Sequence, residues 1–224
     1  MLITIPDVLS SQQIQRVQQI LDQSNFVDGK LSAGQHARRV KNNEELSQSD
    51  RALNELNNIV MGSLVNHQEY KNAAFPHRIA TAFFARYGVG KAYGDHIDDP
   101  VMGPTGGSYR TDVSITVFLN NPEDYEGGEL TINTSFGTQQ VKLPAGHAVM
   151  YPSGTLHRVA EVTKGERLVA VTWCQSMIRD PAKRELLYNL NQARESLMQN
   201  SPDSEETAKV DTSYINLFRM WAEI

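Results

Sequence analysis

From Pro76 to about Ser176 the chain is a succession of short, β-prone segments, each ended by a turn signal, and this pattern limits the fold more than any other feature. The segments are 77–87 (HRIATAFFARY), 112–119 (DVSITVFL), 129–133 (ELTIN), 139–143 (QQVKL), 147–151 (HAVMY), 157–162 (HRVAEV) and 167–175 (RLVAVTWCQ). Gly127-Gly128, Gly137, Pro144-Ala145-Gly146, Pro152-Ser153-Gly154 and Lys164-Gly165 separate them. Strands this short and this closely spaced close on each other as a sandwich or barrel. Helical periodicity is confined to the flanks. Ile14, Val17, Ile20 and Leu21 share one face over 9–24, with Ser10 or Ser11 as the cap, and Leu53, Leu56, Ile59, Val60 and Leu64 share another over about 46–66. Between them, 26–43 (FVDGKLSAGQHARRVKNN) reads as a loop with one edge strand. After Pro181, Leu186, Leu187, Leu190, Ala193 and Leu197 form one stripe, and Tyr214, Leu217, Phe218, Met220 and Trp221 a second. Both are expected to pack on the barrel or on a second subunit. The expected organisation is therefore an N-terminal helical segment packed on the barrel (1–76), the β-rich domain (77–178) and a C-terminal helical segment (179–224).

Charge and cysteine usage narrow the function classes. A net charge of −5 and a pI near 5.7 argue against a dedicated binder of phosphate backbones, and no basic groove interleaved with aromatics stands out, so no nucleic-acid partner is expected. A single cysteine, Cys174, cannot form an internal disulfide. No apolar run is long enough to span a bilayer, and the first residues lack the basic start and apolar stretch of an export signal, so a cytoplasmic protein is expected.

The chemistry concentrates in Tyr93-Gly94-Asp95-His96-Ile97-Asp98-Asp99-Pro100. In an extended chain, side chains two apart share a face, so His96 and Asp98 project together and Ile97 and Asp99 oppositely. An imidazole and a carboxylate delivered this way supply two ligands to one metal. His157, at a strand start after the turn Pro152-Ser153-Gly154-Thr155, is the best candidate for the third. Two His and one carboxylate make the facial triad of non-haem iron(II) oxygenases, which leaves coordination positions open. His-x-Asp alone is a weak signal in a chain with six histidines. Arg167 strengthens it: across the hairpin that begins at His157, its planar guanidinium suits a carboxylate held by two parallel hydrogen bonds, and the other end of such an acid can chelate the metal.

The strings RYGVGKAYGDHIDDP, NNPEDYEGGELTI and LPAGHAVMYPSGTLHRVAEVTKGERLVAVTW resemble the Fe(II)- and 2-oxoglutarate-dependent dioxygenases, in their prolyl 4-hydroxylase-like branch and in particular the bacterial PKHD-type hydroxylases. The resemblance covers about 77–176, and the flanking helices agree with the PKHD-type group over nearly the whole chain. It implies a double-stranded β-helix (jelly-roll) barrel with flanking helices. It also implies His96, Asp98 and His157 as iron ligands, Arg167 on the remote carboxylate of 2-oxoglutarate, and Tyr87 as a further hydrogen-bonding partner of that co-substrate. The activity implied is hydroxylation of a C–H bond with 2-oxoglutarate converted to succinate, and ascorbate is a candidate reductant. Related halogenases lack the carboxylate ligand, so Asp98 favours hydroxylation. The family is associated with bacterial iron acquisition, which implies a small siderophore-like or peptide substrate; a homodimer through the helical ends is a further expectation.

The other polar residues have plainer readings. His147 reads as a barrel-rim histidine, and His36, His67 and His77 have no partner at metal-binding spacing. Asp95 or Asp99 could accept a hydrogen bond from a ligand histidine, and Arg158 should point away from the site. Gly103–Ser108 reads equally as a lid or a plain loop. Arg38, Arg39 and Lys41 form a basic cluster expected at the solvated surface, with a substrate rim as the lesser alternative; Trp173 is expected in the core, with lining of the site as the lesser alternative, and Cys174 is expected to be inert unless exposed. The competing functions are a cupin-type metal enzyme that uses no oxo acid, a non-catalytic metal- or ligand-sensing barrel, and a nucleic-acid demethylase.

Overall fold

The computed structural model describes residues 1–224. Its N-terminal part interleaves strands and helices: β1 (Ile3–Ile5), α1 (Ser11–Asp22), β2 (Phe26–Asp28), β3 (Lys41–Asn42), β4 (Glu44–Leu46), α2 (Leu53–Asn66) and α3 (Gln68–Ala74). Next come β5 (Pro76–Ile79), β6 (Phe83–Tyr87), β7 (Ala92–His96), the short hairpin β8 (Val101–Met102) and β9 (Tyr109–Arg110), β10 (Val113–Phe118) and β11 (Tyr125–Gly127). β12 (Leu130–Thr134), β13 (Gly137–Val141), β14 (Ala148–Pro152), β15 (His157–Val159), β16 (Val162–Gly165) and β17 (Arg167–Ser176) complete the β region. α4 (Pro181–Asn200) and α5 (Glu205–Trp221) follow. No helix is long and apolar enough to cross a membrane.

Two antiparallel sheets face each other. The larger runs β1-β14-β10-β17-β6-β4-β2, with β5 also on β17, and the smaller runs β13-β12-β15-β7-β3. Period-2 alternation explains why the larger sheet's strands read as nearly continuous apolar runs: both of its faces are covered. On β17, Leu168, Ala170 and Cys174 join the core beneath the helices, whereas Val169 and Val171 join the core between the sheets. β6 and β14 alternate in the same way, Phe84 and Met150 facing the helices, Ala85, Tyr87, Val149 and Tyr151 facing inward. The outer layer is α1 and α2, which bury Val17, Ile20, Leu21, Leu56, Val60 and Leu64 against that sheet. Each such side chain contributes about 1.5–3 kcal/mol relative to exposure. The α1 cap is Ser10, in a reciprocal capping box with Gln13.

Several elements differ from the sequence expectation. The helix expected from about 46 starts at Leu53, because Leu46 belongs to β4 and the Asp50 carboxylate holds the turn by accepting from Ala52 N at 2.8 Å and Asn25 N at 3.0 Å. The segment 26–43 contributes β2 and β3 rather than one edge strand, and β1 and β4 extend the larger sheet, so the N-terminal region builds sheet as well as helix. The segment 77–87 is two strands. Between them Ala80 O accepts from Thr172 Oγ1 (2.8 Å) and Ala82 N donates to Asn57 Oδ1 (2.7 Å), bonds that replace the regular ladder. In α4 the buried positions are Arg184, Leu187 and Asn191, while Leu186 and Ala193 are exposed, so the face is rotated from the expected stripe. The rotation follows from Arg184, whose guanidinium donates to the carbonyls of Ile178 (2.7 Å) and Arg179 (2.8 Å) and draws that side of the helix inward. Leu187 packs with Phe75 and Ile178, against which Tyr214, Leu217, Phe218 and Trp221 of α5 also pack, so this face is covered within the chain.

Candidate active site

His96 ends β7 and His157 starts β15, and the two strands pair so that the residues lie directly opposite. Asp98 follows two residues beyond His96. One nitrogen from each ring and one carboxylate oxygen all lie within 4.8 Å of one another, so the three residues singled out at 96, 98 and 157 do converge. His96 Nδ1 is 2.7 Å from Gly94 O and His157 Nδ1 is 2.9 Å from Thr155 O. A carbonyl only accepts, so each Nδ1 carries the hydrogen and each Nε2 is the nitrogen turned to the site. Burial, then the neighbouring His157 ring, push His96 down to about 4, which keeps it in the neutral form that binds metals. Tyr93 stacks on His96 at 3.6 Å between centroids and 14° between planes.

The two oxygens of Asp98 have different surroundings. Oδ2 accepts from Trp173 Nε1 at 2.9 Å and from Ser114 Oγ, which also contacts Ser153 Oγ at 2.8 Å. Oδ1 faces His96 Nε2 (3.9 Å) and His157 Nε2 (3.7 Å). One oxygen is thus anchored and the other is offered as a single ligand atom. Trp173, expected in the core, therefore belongs to the site. Its parity with Arg167 along β17 was the available sign: residues 167, 169, 171 and 173 share one face. Asp95 and Asp99 do not orient the histidines; the nearby backbone carbonyls at positions 94 and 155 do so instead.

Arg167 opens β17 opposite Tyr87 of β6 and is 1% exposed. It lines the same cavity, of about 90 Å³, as the three converging residues. Its guanidinium lies 5.0 Å from the Tyr87 ring and 5.6 Å from the Phe118 ring, and neither Nε nor Nη1 has a hydrogen-bond partner in the protein. Buried donors of this kind are normally satisfied, so a buried unpaired guanidinium marks a place for an anionic guest. Gly128 gives it room: at φ +67° a Cβ there would stand 3.1 Å from Arg167 Cδ and 3.0 Å from Tyr125. Burial pushes Tyr87 up to about 12 against the opposing pull of Arg167, so its hydroxyl stays a donor at neutral pH.

The N-terminal segment closes the cavity's remaining side. Lys41, expected at the surface with Arg38 and Arg39, is 6% exposed, pairs with Glu45 and donates to Ser32 Oγ at 2.8 Å. The reason is alternation: Lys41 and Glu45 turn inward while Asn42 is exposed and Glu44 reaches Arg86. The hairpin β8–β9 carries the loop 103–108 and forms one wall of an adjoining groove of about 560 Å³, which shares Phe83 and Met102 with the cavity. Cys174 is fully buried on the opposite face of β17, and burial pushes its thiol up to about 11. His147 lies 3.8 Å from the exposed Asp7, remote from the site.

Residues 82–175 match the 2OG-Fe(II) oxygenase superfamily, and residues 181–223 match the PKHD-type hydroxylase C-terminal domain. A PKHD-type hydroxylase of Thioalkalivibrio sulfidiphilus is 54% identical, with 100% of both chains covered. The chain belongs to the PKHD-type hydroxylases. A second such hydroxylase, from Acaryochloris marina, is 44% identical, again with 100% of each chain covered. Among solved structures, the PKHD-type chain shares its fold with a prolyl-4-hydroxylase of Pseudomonas putida (TM-score 0.52, 16% identity, 78% of this chain and 92% of that one). It is similarly close to a prolyl hydroxylase of Trichoplax adhaerens, solved with a hypoxia inducible factor peptide fragment (TM-score 0.54, 17% identity, 83% and 86%). As a PKHD-type hydroxylase it is an enzyme of the iron(II)- and 2-oxoglutarate-dependent class on a jelly-roll barrel, and the sensing-barrel and cupin-type alternatives give way to that membership.

Proposed function

We propose that His96, Asp98 and His157 hold ferrous iron, that Arg167 pairs with the distal carboxylate of 2-oxoglutarate, and that the Tyr87 hydroxyl donates beside it. The observation that carries this is the buried guanidinium of Arg167, unpaired at Nε and Nη1, in the same cavity as two imidazoles and a carboxylate. The donor set suits iron: two nitrogens and one oxygen on one side leave the other positions open. When bound, iron with 2-oxoglutarate and O₂ supplies the oxidation: the oxo acid leaves as succinate and CO₂, one oxygen atom going to succinate and the other into a C–H bond of the substrate.

The chain's own groups then position and protect. Gly94 O and Thr155 O fix the ring orientations, and Trp173 and Ser114 keep Asp98 from turning. Arg167, held over the Tyr87 and Phe118 rings, sets how deep the oxo acid sits. Phe118, Tyr125 and Val162, buried around Arg167, exclude water from that end of the cavity. The substrate enters from the mouth at Phe83 and Met102, and the groove toward β8–β9 accommodates a peptide or a small molecule with an extended arm.

The test is a succinate-release screen over peptides, amino acids and iron chelators, with ascorbate as reductant and the Asp98→Ala protein as control. Substrate-dependent succinate from the native protein alone is expected. Iron-loaded protein that neither binds 2-oxoglutarate nor releases succinate with any of these substrates would overturn the proposal.

A further inference from the structure

Asn43 lies in the cavity wall, 2% exposed, with neither Nδ2 nor Oδ1 meeting a partner in the protein. It is the single residue between β3, at the edge of the smaller sheet, and β4, in the larger one, so the chain crosses from sheet to sheet at this point. The pairings on either side fix its depth. Asn42 is opposite Ala92 and Glu44 is opposite Arg86, which puts Asn43 level with the inner end of β6, where Tyr87 is opposite Arg167. The amide is close enough to the Tyr87 hydroxyl to interact with it, though without hydrogen-bond geometry.

Its orientation is set from below. Gly29 N donates to Asn43 O at 2.9 Å, and a Cβ on Gly29 would fall 2.0 Å from Asn43 Oδ1. Only glycine leaves room for the amide oxygen there, which leaves Nδ2 as the end of the amide not packed on Gly29. Lys41 and Glu45, one step further along, satisfy each other, which leaves the amide as the unpaired group of this wall. Buried amides left unpaired are unfavourable and rare in folded proteins. Here the unmet donors of Asn43 and Arg167 stand at one level of one cavity, and both suit carboxylate oxygens.

We propose that Asn43 Nδ2 is a second donor to the distal carboxylate of the oxo acid, so that the N-terminal segment, outside the strands that carry the metal-binding residues, sets the preference for a diacid. This rests on the reading of Arg167 given above.

The experiment measures binding by calorimetry, without O₂, to Mn(II)-loaded full-length protein, using 2-oxoglutarate and 2-oxopentanoate, which has the same chain without the distal carboxylate. Asn43→Ala is expected to weaken 2-oxoglutarate about 10-fold, as for loss of one hydrogen bond to a charged group. Binding of 2-oxopentanoate should stay within about twofold of native. The isosteric Asn43→Asp, which keeps the shape if the alanine variant folds poorly, should weaken 2-oxoglutarate further by like-charge repulsion and again spare 2-oxopentanoate. Equal weakening of both acids would show a structural role and overturn the proposal, as would unchanged 2-oxoglutarate binding in both variants. Native protein that does not favour 2-oxoglutarate over 2-oxopentanoate would overturn the Arg167 reading and this one together. A native preference that survives both Asn43 substitutions undiminished would overturn this one alone.

Discussion

Replacing Arg167 with methionine should stabilise the ligand-free protein while sharply weakening its response to 2-oxoglutarate. The guanidinium is 1% exposed and two of its three nitrogens have no partner. Each buried unmet donor costs roughly 1–3 kcal/mol. Methionine removes both and fills similar space, at the loss of packing over the Tyr87 and Phe118 rings, on the order of 1–2 kcal/mol. The net expectation is a gain of up to about 5 kcal/mol, centred on about 2–3 kcal/mol, which is about 4–12 °C in Tm for a chain of this size. The native protein, in turn, should gain stability from the oxo acid in proportion to its saturation, about 2.7 kcal/mol at a hundredfold excess over Kd. The assay is thermal unfolding of both proteins, Mn(II)-loaded and free of O₂, with and without 2-oxoglutarate. A variant that melts below native without ligand and still shifts upward with 2-oxoglutarate would refute the account of Arg167 as an anion seat kept at a cost to the fold.

Two further outcomes follow from the same geometry. Trp173→Phe removes the 2.9 Å bond to Asp98 Oδ2 and leaves Ser114 to hold that oxygen, so Fe(II) or Mn(II) affinity should fall about 10-fold to 100-fold; an unchanged metal Kd would count against Trp173 as an anchor. Burial raises the tyrosines Tyr70, Tyr87, Tyr93 and Tyr151, Tyr87 to about 12. Stability should therefore be fully present below pH 10 and fall as the pH rises toward and beyond 12, because the unfolded chain releases those phenolic protons first. Tyrosine absorbance near 295 nm should rise together with unfolding; ionisation of these residues at pH 10 in the folded protein would disprove it.

Strand period and turn residues made most of the barrel legible in the sequence, since β10, β12, β14, β15 and β17 each overlap, to within a residue at their ends, a segment of alternating or doubly buried residues. His96, Asp98, His157 and Arg167 were legible because each combines a suitable side chain with a strand end or a two-residue spacing. What escaped was what depends on distant partners. Trp173 reads as core until Asp98 is brought to it across the two sheets. Lys41 reads as surface because two arginines precede it, and only pairing of β3 with β7 and β4 with β6 turns positions 41, 43 and 45 into the cavity. The split of 77–87 and the rotation of α4 depend on side-chain bonds from Thr172, Asn57 and Arg184 that no local pattern encodes.

His96 and His157 stand on the smaller sheet, and the two side chains that grip Asp98 stand on β10 and β17 of the larger one. An ion held there as proposed, between the imidazoles and that carboxylate, would act as a rivet, fastening one leaf to the other. Taking that ion away would then remove one of the ties between the two leaves, so the stiffness of the barrel would follow its occupancy.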